Sequence, residues 1–151
     1  MMRFDLEVEL LEGHLRIKDL PEAWRARMRA DLGLASADDR DGCLQDVHWY
    51  GGTGTVGGGF QSYTIGSILS AQFYAATIKT HLNIPREIAK GEFGTLHGWL
   101  REHLYQHGRK FQRSEVVRRA TGGPMSTTPY LAYLRAKYGE LYRLPTVDKL
   151  D

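Results

Sequence analysis

The sequence predicts an all-α protein, and three observations lead to that prediction. Apolar residues recur every three or four positions through most of the chain. Pro and Gly stand where helices would begin and end, as Pro21 and Gly33 do. Alternating β-branched runs bounded by turn pairs are absent, with residues 47–50 as the one possible exception. We therefore expect a single helical domain over residues 1–151, built from about six or seven helices.

The first predicted helix covers residues 4–12 and stops near Gly13. Its apolar face is formed by three side chains about one turn apart: Phe4, Val8 and Leu11. Leu6 and Leu10 lie beside that face, and the acidic residues, which are Asp5, Glu7, Glu9 and Glu12, fall elsewhere. This pattern predicts an amphipathic helix.

The next two helices flank a glycine-rich segment. One begins after Asp19, has Pro21 in its first turn and ends before Gly33. The other, residues 62–81, gives the longest uninterrupted helical pattern in the chain. Its small residues predict close packing against other helices: Gly66, Ser67, Ser70, Ala71, Ala75 and Ala76.

Four further helices complete the predicted fold. They cover residues 85–90, 94–107, 114–120 and 128–143. In the second of these, the buried stripe is expected to consist of Leu96, Trp99, Leu100 and Leu104. In the last, it is expected to consist of Leu131, Leu134, Tyr138 and Leu141.

Composition limits the functions that the chain can have. A net charge of +2 is too small to imply a polyanionic partner by itself. Cys43 is the only cysteine, which excludes an intrachain disulfide framework, and no apolar run approaches the roughly 20 residues of a membrane span. The start, MMRFDLEVELLEG, carries acids where a secretory signal has a basic region. We expect a cytoplasmic protein that does not enter a membrane.

Three patterns suggest chemistry, and each also has a simpler explanation. Residues 52–57, GTGTVG, fit a dinucleotide-binding loop, yet that loop needs a strand before it, so a turning glycine loop is favoured. His103 and His107 have the spacing of two zinc ligands, but HLYQH lacks the Glu that HExxH uses as general base. Residues 101–119 are basic enough to hold phosphates but carry no nucleic-acid-binding signature. We therefore expect neither metal ligands nor a nucleic-acid partner.

The stretch GCLQDVHWYGGTGTVGGGFQSYTIG brings several chemical types together. Gln45 or Asp46 could hold a neighbouring group in place, and His48 could donate a hydrogen bond to a developing oxyanion. Tyr63, in the first turn of the long helix, could supply a phenolic donor. The alternative is a polar network that closes a helix junction around Trp49.

This stretch also carries a resemblance to a known family. GCLQDVHW is similar to the GxxQDxHW motif of the carboxypeptidase Taq family, zinc metallocarboxypeptidases that remove single residues from peptide C-termini. Five more segments resemble consecutive C-terminal segments of those enzymes: RFDLEVELLEG, IKDLPEAWRARM, QSYTIGSILSAQF, AKGEFGTLHGWLREHLYQHGRKF and ATGGPMSTTPYLAYLRAKYGELYRL. The resemblance therefore covers nearly the whole chain.

The resemblance implies that the chain corresponds to the C-terminal part of a zincin-type carboxypeptidase. Gln45, Asp46 and Trp49 would then bind substrate along one wall of the active-site groove. His48, in the same wall, and Tyr63 would be the catalytic residues that stabilise the tetrahedral intermediate opposite the metal. Relatives usually have an aromatic residue and a Pro just before the Tyr, where this chain has GGGFQS.

The resemblance also implies that essential parts of the enzyme lie elsewhere. The family's HExxH helix, third zinc ligand and DxRxT segment are upstream of the matched region, and residues 1–151 contain none of them. Zinc belongs to the full-length relatives, so this chain would have no metal ligand and no activity alone. We expect either a domain of a longer enzyme or a short protein that pairs with a separate chain carrying HExxH. Peptides would be substrates only of the complete enzyme.

An alternative is a stand-alone interaction or oligomerisation module that keeps the fold without peptidase activity. Apolar surface that a complete enzyme would cover favours self-association, and the full-length relatives are dimers. We therefore expect a homodimer.

Overall fold

The computed structural model describes residues 2–46, Trp49 and residues 59–145. The regular secondary structure within these residues is entirely helical, which confirms the all-α prediction. The seven α-helices are α1 (Met2–Leu11), α2 (Leu20–Leu32), α3 (Phe60–Thr80), α4 (Ile84–Ala89), α5 (Gly94–His103), α6 (Arg113–Thr121) and α7 (Thr128–Tyr142). Short 3₁₀ turns lie at Ile17–Asp19, Cys43–Gln45 and Tyr105–His107.

The chain divides into two compact units. Unit 1 is Met1–Thr64 and unit 2 is Ile65–Asp151. The expectation of one domain over residues 1–151 stays a prediction. In the described part of the chain, no helix combines the length and the apolar character that a membrane crossing requires.

The helix ends follow the punctuation in the sequence. Gly33 ends α2 in the left-handed conformation, with φ of 68°, and its N–H donates to the Arg29 carbonyl. The predicted helix over 94–107 is shorter in the structure, because Leu104 leaves helical geometry with φ of −126°. The chain continues there as the 3₁₀ turn Tyr105–His107.

The core of unit 1 forms between α1, α2 and the 3₁₀ turn Cys43–Gln45. Its four buried side chains are Leu6, Leu20, Trp24 and Cys43. Around them pack six partly buried residues: Met2, Leu10, Leu15, Ala23, Met28 and Trp49. Trp24 is only 1% exposed, so one indole ring fills the centre of this core.

The predicted apolar face of α1 is wrong. Phe4 and Leu11 are 41% and 54% exposed, whereas Leu6 and Glu7 are buried. The line of residues that faces the core is Met2, Leu6 and Leu10, four positions apart. Two apolar lines lie next to each other on this helix, and periodicity alone could not decide which of them α2 would cover.

Unit 2 has a polar group at its centre. Gln72 on α3 is buried, and its Nε2 donates to Thr121 Oγ1 at 3.1 Å and to the Pro124 carbonyl at 2.8 Å. Its Oε1 accepts from the Ser126 N–H at 2.9 Å. One amide therefore ties α3 to the end of α6 and to the turn that precedes α7.

The predicted buried stripe of α7 is also wrong. None of the residues of α7 is buried, and Leu131, Tyr138 and Leu141 are 41%, 37% and 65% exposed. Sequence periodicity identified an apolar helix correctly, but the described part of unit 2 supplies no surface that covers it. Its apolar side chains remain in contact with solvent.

Candidate functional site

The described part of the GxxQDxHW motif forms a tight turn after α2. Gly42 is required there by close contact, because a Cβ at this position would lie 2.7 Å from Ser36 Oγ and 3.0 Å from the Asp38 carbonyl oxygen. The 3₁₀ turn Cys43–Gln45 follows directly. Gln45 is exposed, and its Nε2 donates to the Asp41 carbonyl at 3.1 Å. Gln45 is thus held by its own turn, with its side chain accessible.

Asp46 forms an ion pair with α1. Its Oδ2 lies 2.5 Å from Arg3 Nε, and the Asp46 side chain is only 9% exposed. The Arg3 guanidinium also lies over the Trp24 ring, 5.4 Å from the ring centroid. A carboxylate this well shielded needs a partner of opposite charge, and Arg3 supplies it.

A second contact from α1 holds the other side of the glycine-rich segment. The buried Glu7 accepts through Oε1 from the Gly59 N–H at 3.3 Å, just before α3 begins. Arg3 and Glu7 are one helical turn apart, so they project from the same side of α1. Both ends of the segment that runs from Asp46 to Gly59 are therefore attached to one helix.

Trp49 packs its ring among other aromatic rings of unit 1. It meets Trp24 edge to face with centroids 6.0 Å apart, and Phe60 with centroids 4.7 Å apart. The ring is partly buried against the core that contains Cys43. Trp49 thus packs the end of the motif against the core of unit 1, and its predicted contact with substrate stays a prediction.

Tyr63 lies in the first turn of α3 and is 66% exposed. Its side chain is therefore largely accessible to solvent. His48 and residues 52–57 lie outside the described residues, so the roles predicted for His48 and for the GTGTVG loop stay predictions.

Sequence reasoning missed Arg3, Glu7 and Trp24, which hold the motif in place. The first two fall on what reads as the polar side of an amphipathic helix. Their spacing of four residues was the only available signal, and it is common on solvated helices. Long-range contacts such as Arg3 with Asp46 are set by the packing of α1 on α2, which no local pattern shows.

The histidine pair is not arranged as a metal site. His103 Nδ1 lies 3.0 Å from the Trp99 carbonyl oxygen and its ring stacks on Trp99, while the His107 ring packs against Phe111. Among residues 2–46, 49 and 59–145, no three His, Cys, Asp or Glu side chains are grouped so that they could hold a metal. The described donor set therefore does not fit a zinc ion, and no step through a metal is assigned to these residues.

The basic segment is partly occupied by internal contacts. Phe111 lies beneath the guanidinium of Arg119, 4.2 Å from the ring centroid, and Arg119 also pairs with Glu115 at 2.8 Å. Arg109 and Arg113 line an open groove of about 870 Å³ with apolar residues of α3 and α6. The groove carries positive charge at an apolar wall, and the expectation that nucleic acid is not a partner stays a prediction.

Cys43 is a buried thiol inside the motif, 2% exposed. Burial raises the pKa of this thiol above its ordinary value of 9.0, and the nearby Asp39 carboxylate adds to the increase. Its own backbone hydrogen bond and Arg25 oppose the shift. The thiol is therefore protonated and shielded in the folded chain.

We expect a thiol reagent to label Cys43 at least about 100-fold more slowly than an unstructured thiol at neutral pH, because both burial and protonation suppress attack. Ellman's reagent gives the rate, and the same chain in urea serves as the control. Since the unfolded thiol ionises first, stability should also fall as the pH rises above 9.0, until the folded thiol ionises too. Equal labelling rates in buffer and in urea would contradict the burial.

Comparisons with known proteins agree on one relationship. A model of the carboxypeptidase Taq (M32) metallopeptidase family matches residues 1–138. Thermostable carboxypeptidase 1 of Thermus thermophilus is 39% identical over 142 residues, which cover 94% of this chain and 27% of that protein. Carboxypeptidase 1 of Bacillus subtilis is 30% identical over 95% of this chain and 28% of its own length.

Solved structures give the same result. The crystal structure of the M32 carboxypeptidase from Deinococcus radiodurans R1 matches with a TM-score of 0.87 and 51% identity, covering 95% of this chain and 28% of that one. Trypanosoma cruzi metallocarboxypeptidase 1 matches with a TM-score of 0.83 and 31% identity, covering 91% and 28%. The chain thus spans little more than a quarter of the length of these relatives, and within that quarter the helical fold is the same.

Proposed function

Because the chain belongs to the carboxypeptidase Taq (M32) metallopeptidase family, we propose that it supplies the GxxQDxHW wall of the active-site groove in a zinc metallocarboxypeptidase. The observation behind this proposal is the family match over residues 1–138. The chain covers 27% of the Thermus thermophilus relative and 28% of the Deinococcus radiodurans structure. Catalysis then requires the rest of the family fold, which carries the HExxH helix. On its own the chain is inactive.

Within the complete enzyme, each predicted site residue has a distinct part. Gln45, Asp46 and Trp49 shape the wall, and Asp46 does so as the charged partner of Arg3. His48 and Tyr63 donate hydrogen bonds to the oxyanion that forms when the peptide carbonyl is attacked. The exposure of Tyr63 at the start of α3 supports this role, because a solvent-accessible side chain lies where a substrate could reach it.

The metal supplies a Lewis acid and an activated water in this chemistry, and this chain is not its carrier. Among the described residues, no three His, Cys, Asp or Glu side chains are grouped so that they could hold a metal. The part assigned to this chain is therefore confined to orientation and hydrogen bonding on the side of the groove opposite the metal.

A chimera tests the proposal. The matched region of the Deinococcus radiodurans M32 carboxypeptidase, 51% identical here, is replaced by this chain. We expect the chimera to release C-terminal residues from peptides, and His48→Ala or Tyr63→Phe to lower its kcat by about 10²–10³, as loss of one oxyanion donor does. The matched control is Tyr142→Phe, since Tyr142 is 65% exposed and lies outside the motif.

The same assay includes the isolated chain with added zinc. Turnover by the isolated chain, or full activity of the chimera after His48→Ala and Tyr63→Phe, would contradict the proposal. A chimera that folds but has no activity would contradict it as well, because the wall would then be unfit for the reaction.

A second candidate function is that of an interaction module without peptidase activity. The exposed apolar side chains of α7 favour it, because such surface promotes association. A homodimer is then expected, and sedimentation of the isolated chain distinguishes it from a monomer. If the chain is such a module, the isolated chain should be a dimer and the chimera should have no peptidase activity.

A further inference from the structure

Two charged residues of α1, which we call the anchors, contact the two ends of the glycine-rich segment. Arg3 Nε lies 2.5 Å from Asp46 Oδ2, and the Asp46 side chain is 9% exposed. Glu7 is 6% exposed, and its Oε1 accepts from the Gly59 N–H at 3.3 Å. His48, for which a contact with the oxyanion is predicted, falls between the two contacted positions in the sequence.

The helix that carries the anchors is itself attached to α2. Leu6 is 2% exposed and belongs to the same core as Trp24. Asp5 Oδ2 accepts from Arg27 Nη2 on α2 at 2.7 Å. The Arg3 guanidinium also lies over the Trp24 ring, 5.4 Å from the ring centroid. Apolar packing and an ion pair thus fix α1 on α2, and the contacts that α1 makes with the segment start from a fixed position.

Stability alone does not explain why the anchors are charged. Taking a carboxylate out of water costs free energy, and apolar residues of similar volume often stabilise a fold as well or better. Among the described residues, no other charged residue is as buried as Glu7. Unlike apolar contacts, hydrogen bonds to charged groups fix both a distance and a direction. They are therefore suited to holding a stretch of backbone in one place.

We propose that Arg3 and Glu7 are positioning residues for the reaction of the complete enzyme. They fix Asp46 and Gly59 on α1, and so hold the segment between these two positions where its side chains meet the transition state. The inference rests on the proposed function. Both anchors act through the segment and neither touches the substrate. Because an oxyanion donor acts only when it is aimed at the developing charge, loss of an anchor lowers kcat more than it changes KM.

Variants of the chimera test the proposal. Arg3→Met and Glu7→Met each remove one anchor and keep a long, flexible side chain in its place. Each should lower kcat by about 10–100-fold, since a displacement of about 1 Å at a reacting group costs up to about 100-fold. KM should stay within about 3-fold, because the loss falls on the transition state. Far-UV circular dichroism gives the folded fraction, and kcat is calculated per folded molecule.

Glu7→Gln separates positioning from charge. The amide keeps an oxygen that can accept from the Gly59 N–H, so kcat should stay within about 3-fold of the unmodified chimera. A loss of kcat as large as that of Glu7→Met would contradict the role of this hydrogen bond.

Glu9→Met and Arg16→Met are the matched controls. Glu9 is exposed on the same helix as Glu7, and Arg16 is 70% exposed and pairs with Asp19. Each should leave kcat within about 2-fold, because neither contacts the segment and exposed substitutions have small effects. Anchor variants whose kcat matches that of these controls would overturn the proposal.

The isolated chain gives a readout that does not depend on activity. Hydrogen exchange of the Gly59 amide, followed by NMR, should be at least about 10-fold faster in Glu7→Met and nearly unchanged in Glu7→Gln and Glu9→Met. Equal exchange rates in all these chains would show that Glu7 does not hold Gly59.

The two proposals fail separately. An active chimera whose kcat is indifferent to Arg3→Met and Glu7→Met keeps the proposed function and removes the positioning role. A folded chimera without activity removes the proposed function and the effect on kcat with it, and the exchange rate of the Gly59 amide then still decides whether Glu7 holds the segment.

Discussion

Replacing Trp24 by alanine is expected to lower the free energy of unfolding by about 3–5 kcal/mol. The ring is 1% exposed, packs edge to face with Trp49 and lies beneath the guanidinium of Arg3. Its removal leaves a cavity in the small core of unit 1, where little else can move in to fill it. Urea unfolding followed by far-UV circular dichroism measures the change.

Two comparisons make this expectation specific. Trp24→Phe should cost much less, because a ring remains and the indole Nε1 has no hydrogen-bond partner among the described residues. Ile17→Ala, at a side chain 82% exposed, should stay within about 0.5 kcal/mol of the unmodified chain. If Trp24→Ala costs no more than Ile17→Ala, the core of unit 1 is not built around this ring.

Replacing Gln72 by leucine is expected to cost about 2–4 kcal/mol, although the side chain becomes more apolar. The Pro124 carbonyl and the Ser126 N–H would each lose the partner that the buried Gln72 supplies, and the Thr121 hydroxyl would lose its contact with Gln72. Unmade hydrogen bonds at a shielded site cost more than the added apolar contact returns.

Gln106→Leu provides the matched control for this substitution. Gln106 is exposed and its amide donates to the Glu102 carbonyl, within one turn of the same segment. Its replacement should change the free energy of unfolding by less than about 0.5 kcal/mol. Urea unfolding of the two variants side by side decides the matter, and equal midpoints would show that the amide of Gln72 does not hold α3 to α6.

The sequence was sufficient to predict where the helices begin and end, but not which side of each helix is buried. Pro21 and Gly33 fixed the ends of α2, because ring geometry and a left-handed φ are local properties. Which side of α1 becomes buried depends on α2, and Leu6 rather than Phe4 turned out to face it. For α7 the apolar pattern was real, but the stripe it predicted is exposed.

The candidate site shows the same division. Gln45 and Asp46 could be identified from the sequence as part of the family motif, and the family match over residues 1–138 confirms the family. The residues that hold this segment in place, Arg3 and Glu7, could not be identified from the sequence. Arg3 and Glu7 act across more than forty positions of sequence, and only the packed structure brings them to Asp46 and Gly59.

The two attachments on α1 have a consequence for how this part of the chain can vary. Arg3 and Glu7 are spaced by one turn, about 5.4 Å along the axis, so Asp46 and Gly59 are both held at the same part of α1. Exchanging either anchor on α1 would therefore release one of these two positions while the other stays attached.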